Sequence, residues 1–137
     1  MQSIQQLSAR QQRTMAIAVA IIVNFVFLMI ARVVNGGYPV ATVSGDDQTI
    51  GIVSTIVVTA IVGLLAWGLL ELLEWRSGRA AATWPVIAVI VFLVSLLGPI
   101  SSAVDTSSKL ALIYLHIGAA ATIIPLMGRT ASRRLQA

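Results

Sequence analysis

The sequence predicts an all-α membrane protein, a four-transmembrane-helix antiparallel bundle with both termini inside and a longer first extracytoplasmic loop. Three observations carry this reading. Of 137 residues, 58% are hydrophobic and only 10% charged, with a mean hydropathy of +0.93. A soluble domain carries roughly 25% charged residues, so lipid must solvate much of this chain. Four segments also reach the length of about 20 apolar residues that a spanning helix needs. Finally, the arginines cluster at alternate ends of those segments.

Residues 1–13 are rich in glutamine and read as a cytoplasmic surface segment or a frayed helical lead-in. The transmembrane domain follows over 14–128, with spans expected near 14–34, 51–75, 84–103 and 108–128. Arg10 and Arg13 precede the first apolar run, as in a signal peptide. That run continues to Ala31 with no small-x-small site after it, so a retained signal-anchor is expected. Residues 129–137 form a basic cytoplasmic tail. The connections between the second, third and fourth spans are short, which makes consecutive helices antiparallel neighbours. The first outer loop is longer. It alternates partly through Tyr38-Pro39-Val40-Ala41-Thr42-Val43 before the turn signal Ser44-Gly45-Asp46-Asp47, the pattern of a short hairpin or extended flap.

Direction follows from the basic residues. Arg10, Arg13, Arg76, Arg79, Arg129, Arg133 and Arg134 fall on one side, against Arg32 and Lys109 on the other. The positive-inside rule places the larger group in the cytoplasm. Trp75 and Trp84 flank the inner loop, where amphipathic rings favour the headgroup level. This topology accounts for the net charge of +4 without nucleic acid, since no patch interleaves aromatic and basic residues.

Absences narrow the chemistry. With no cysteine there is no disulfide framework, thiol redox centre or thiolate metal site. One histidine cannot supply both axial ligands of a haem unless two subunits share it. No acidic or basic residue occupies the middle of a span, so the membrane carboxylate of a proton-coupled exporter is lacking. No phosphate loop, zinc motif or nucleophile paired with a base is visible. The expectation is therefore no enzyme, no cofactor and no metal.

Within the spans, small and polar residues mark the faces that helices join in lipid. They are Ala16, Ala20, Asn24 and Ala31 in the first, and Gly51, Thr55, Thr59 and Gly63 in the second. In the third they are Ser95, Gly98, Pro99 and Ser102, and in the fourth Tyr114, Gly118 and Thr122. Asn24 lies eight residues before Arg32 and His116 seven after Lys109, each roughly 10–12 Å below the outer boundary at about 1.5 Å per residue. Thr59 and Ser95 fall at similar depth. Asn24, Thr59, Ser95 and His116 are thus the candidate ligand-binding residues, one polar layer in the outer half of the bundle. The alternative is that the same side chains satisfy one another structurally. Gly98-Pro99 is expected to kink the third helix, because proline removes a hydrogen bond and crowds the preceding turn. Pro125 is placed to do the same in the fourth.

The order of features resembles a family of small four-helix transmembrane proteins of unknown function, common in actinobacteria. The likeness rests on Gly63-Leu64-Leu65-Ala66-Trp67-Gly68, on Leu97-Gly98-Pro99, and on Leu115-His116-Ile117-Gly118 followed by Ile124-Pro125. It runs from Arg13 to Arg129. It implies a bacterial inner membrane and no particular activity. The first functional reading is a non-enzymatic membrane scaffold or accessory subunit acting through helix–helix contacts, its partners being the bilayer and a membrane protein or further copies of itself. The second is a binder or transporter of a small apolar or weakly polar ligand that uses the polar layer. The third is a homo-oligomeric pore.

Overall fold

Ser8 opens the first helix. Its hydroxyl accepts from the Gln11 amide while the Gln11 side chain accepts from the Ser8 amide, a reciprocal capping box. The computed structural model describes residues 7–136, with side chains through residue 131. Residues 1–6 of the glutamine-rich lead, and the side chains of Arg133 and Arg134, lie outside the described residues.

The chain orders as α1 (Ala9–Asn35), β1 (Val40–Val43), β2 (Asp46–Thr49), α2 (Ile52–Arg76), α3 (Ala80–Ser95), α4 (Leu97–Ser102) and α5 (Thr106–Gln136). Four helices are long and apolar enough to cross a membrane: Ala9–Asn35, Ile52–Arg76, the α3–α4 pair over Ala80–Ser102, and Thr106–Ala131. Only 17–33% of each apolar stretch is buried inside the protein, and Val53, Leu65, Val94 and Leu97 are among many exposed apolar side chains. Such faces suit lipid and not water.

Helix α1 is the organising element, packed most extensively on α5 and next on α2, with α3 on the other side of α5. Its start lies beside the ends of α2 and α5, because Arg13 reaches both Glu74 and Thr130, so α1 runs opposite to both. The expected small faces of α1, α2 and α5 largely meet, whereas in the third span only Pro99 of the expected face is buried and Gly98 is exposed. Ala16, Ala20 and Asn24 are buried on α1, as are Thr55, Thr59 and Gly63 on α2, and Gly118 and Thr122 on α5. Tyr114 instead points outward at 60% exposure. Close approach is greatest at two glycines. A Cβ on Gly63 would stand 2.7 Å from Ile17 Cγ1, and one on Gly118 would stand 2.8 Å from Asn24 Oδ1 and from the Phe27 ring.

The third span breaks where the proline expectation put it. α3 ends at Ser95, Leu96 intervenes, and α4 carries Gly98 and Pro99. Pro99 has no amide hydrogen to give the Ser95 carbonyl, so that rung of the ladder is lost. Pro125 lies within α5, which continues through it.

Trp84 departs from the interfacial reading. It is 1% exposed, its Nε1 donates to the Ile124 carbonyl at 2.9 Å, and its ring lies against Gly128. The missing side chain at Gly128 leaves a groove on α5 deep enough for an indole. Trp75, by contrast, is 79% exposed.

The loop between α1 and α2 is a two-stranded antiparallel hairpin, with Val40 opposite Thr49 and Val43 opposite Asp46. Ser44 and Gly45 both have positive φ, 53° and 90°, the primed turn that matches strand twist. The hairpin docks on the bundle. Ala41 bridges Ala103, Val104 donates to the Val40 carbonyl, and the Ser108 hydroxyl accepts the Val40 amide at 2.9 Å. Buried Ala41 then joins Leu28, Leu112 and Leu115 in a small core at that end. Ser108→Ala strands the Val40 amide. It is expected to loosen the hairpin by about 1 kcal/mol, seen as faster hydrogen exchange at Val40 with the helices unaffected.

Candidate functional site

Two apolar clusters occupy the two ends of the bundle. One gathers Ala16, Ile17, Leu70, Trp84, Ile123 and Met127, and the other holds Leu28, Ala41, Leu112 and Leu115. Between them runs the layer that contains Asn24, Thr59 and Gly118. Asn24 Nδ2 donates to Thr59 Oγ1 at 3.0 Å, joining α1 to α2. Its other amide atom, Oδ1, is buried against Gly118 of α5 and accepts no bond, and Thr55 Oγ1, one turn before Thr59 on α2, is also buried without a partner.

Of the four sequence candidates, Asn24 and Thr59 are therefore brought together. Ser95 turns to the Phe92 carbonyl at 2.6 Å, and His116 Nδ1 lies 2.8 Å from the Leu112 carbonyl. Each is partly buried and bonds to its own helix. Thr122 does the same, donating to the Gly118 carbonyl.

A second polar centre escaped the sequence reading. Arg13 is fully buried. Its Nε donates to Thr130 Oγ1 at 3.0 Å, Nη2 to Glu74 Oε1 at 2.5 Å and Nη1 to Glu71 Oε1 at 3.4 Å. The Trp67 indole donates to the same Glu71 oxygen at 2.7 Å, and the Thr130 hydroxyl donates in turn to the Met127 carbonyl at 2.7 Å. Glu74 is nearly enclosed, with 10% of its side chain exposed, whereas Glu71 is 46% exposed. One guanidinium thus ties α1, α2 and α5 together with charge-assisted bonds that its planar fork can aim in three directions. The signal was present in the sequence. Arg13 sits three residues before Ala16 and seven before Ala20, on the stripe that α1 buries, and Glu71 and Glu74 share a face at spacing three.

At the opposite end, an open cleft of about 180 Å³ lies between the 35–40 loop and Asp105, Ser107 and Ser108. Asp105 Oδ1 accepts the Ser108 amide, and Arg32 stacks over Tyr38 with 4.8 Å between guanidinium carbon and ring centre. Among the described residues, no three His, Cys, Asp or Glu side chains converge as a metal site would require.

The family model described as "Family of unknown function (DUF6069)" matches residues 5–133. The chain belongs to this family. The DUF6069 match spans all four apolar helices, the hairpin and both polar centres. No curated protein matches the chain, and no solved structure does.

Proposed function

We propose that this DUF6069 protein is a non-enzymatic integral membrane scaffold or accessory subunit that acts through helix–helix contacts. The reading places it in a bacterial inner membrane, multi-pass, with both termini in the cytoplasm. One observation carries it: the buried polar side chains act as joints between helices. Arg13 holds α2 and α5 to α1, and Asn24 holds α2 to α1 where Gly118 closes the space beside it. Polar groups placed in this way fix register and partner choice among apolar helices. The orientation is supported by the arginine distribution, with Arg10, Arg76, Arg79 and Arg129 at one end and Arg32 and Lys109 at the other.

A second reading, a binder or transporter of a small weakly polar ligand, is favoured by the two buried acceptors at Asn24 Oδ1 and Thr55 Oγ1. Such atoms cost free energy unless something donates to them. Gentle purification from the native membrane, with mass spectrometry of what is retained, separates the two. The scaffold reading expects a stoichiometric membrane protein, or further copies of the chain, held equally by wild type and Asn24→Ala. A small molecule retained by wild type and lost from Asn24→Ala or His116→Ala overturns it in favour of the polar layer as a binding site.

A further inference from the structure

Glu71 and Glu74 stand near the end of α2, among several arginines. Glu74 and Glu71 turn to buried Arg13. Asp46, Asp47 and Asp105 belong to the hairpin and the start of α5, at the far end of the bundle. Arg10, Arg76, Arg79 and Arg129 are all exposed, and none forms an ion pair with a described residue. Their placement is common. Arg10 lies one turn before Arg13, Arg76 and Arg79 follow Glu74 by two and five residues, and Arg129 adjoins Thr130. Since Arg13, Glu74 and Thr130 touch, these four arginines ring a single joint at one end of the spans. Trp75, 79% exposed with the Arg76 guanidinium 5.8 Å from its ring centre, sits among them as an apolar body with a polar edge.

We infer that this rim is a binding site for anionic phospholipid headgroups, with Arg76, Arg79 and Arg129 taking the phosphate and Trp75 lying beside the upper acyl chains. The inference stands on the four apolar helices and the excess of exposed arginines among the described residues at this end, and it does not depend on the scaffold reading. Guanidinium groups engage phosphate oxygens through paired N–H donors, and the apolar helices that adjoin them hold the rim at headgroup level. A net negative lipid is preferred over a zwitterionic one because the four exposed arginines outweigh the single excess negative charge of the Arg13–Glu71–Glu74 joint that they surround.

The test uses the full chain in phosphatidylcholine vesicles, with brominated phosphatidylglycerol or brominated phosphatidylcholine titrated as a quencher of tryptophan fluorescence. The expected result is quenching at a lower mole fraction of phosphatidylglycerol, a preference of roughly three- to tenfold. It should shrink in concentrated salt and fall to near unity in the triple variant Arg76→Gln, Arg79→Gln, Arg129→Gln. Trp75→Phe should remove most of the quenching and identify the ring concerned. Equal quenching by the two lipids in wild type overturns the proposal. So does an undiminished preference in a triple variant with wild-type helicity. Should that variant not fold, the salt titration of wild type decides, and a salt-independent preference overturns it. Displacement of phosphatidylglycerol by millimolar inorganic phosphate at constant ionic strength overturns the assignment to lipid.

Discussion

Arg13→Met is expected to cost about 3 kcal/mol of stability. The magnitude follows from what remains behind. Removing one partner of a buried ion pair typically costs 3–5 kcal/mol, because the other charge is left enclosed. Here Glu74 is the more enclosed carboxylate, at 10% side-chain exposure, so the larger share of the loss falls on its bond to Arg13. Glu71 is 46% exposed and keeps the Trp67 indole, so its share is screened and small. Glu71→Gln should accordingly cost less than 1 kcal/mol, and Glu74→Gln should cost more than Glu71→Gln.

The decisive comparison is a double-mutant cycle measured by unfolding in mixed micelles. Arg13→Met with Glu74→Gln removes both charges, and it should recover at least half of the loss seen for Arg13→Met alone. Arg13→Lys should recover little, since a single ammonium cannot reach Thr130, Glu74 and Glu71 along three separate directions. Strict additivity in the cycle, or a neutral Arg13→Met, would mean that the joint contributes no coupling between α1 and α2.

The spans were legible because apolar length is a one-dimensional property. A run of about 20 apolar residues is visible whatever its neighbours do. The hairpin was legible for a similar reason, since Ser44-Gly45 supplies the positive φ values that a two-residue turn demands. Contacts made at a distance were harder to see. Arg13 was counted only as a charge setting direction, and its burial depends on Glu74 arriving from 61 residues away. Trp84 was read as interfacial because tryptophan between a basic loop and an apolar span is commonly found there. What buries it is Gly128 on α5, 44 residues on. For the polar layer, counting gave depth without rotation. Depth was sufficient for Asn24 and Thr59, which sit on the facing stripes of α1 and α2. Ser95 lies at the proline break and His116 one turn beyond Leu112, and each finds a nearer acceptor on its own helix.

Gly118→Ala is expected to cost about 1 kcal/mol, although alanine is the better helix former. Helix propensity favours the substitution by about 1 kcal/mol. Against it, the added Cβ would stand 2.8 Å from Asn24 Oδ1 and from two atoms of the Phe27 ring, closer than carbon contacts allow. Overpacking of this kind typically costs 1–3 kcal/mol, and here it has a second consequence. Asn24 cannot retreat without lengthening its 3.0 Å bond to Thr59, so the clash between α1 and α5 is passed on to the contact between α1 and α2. The two contacts should therefore be coupled. Asn24→Ala in the Gly118→Ala background removes one of the obstructing groups. It should be less damaging there than in wild type, by about 1 kcal/mol in the same unfolding assay. A neutral Gly118→Ala, or additive costs in the pair, would show that the helices do not meet at this layer. Coupling of the expected sign would show that Asn24 is held from both sides at once, by Thr59 at one amide atom and by Gly118 at the other.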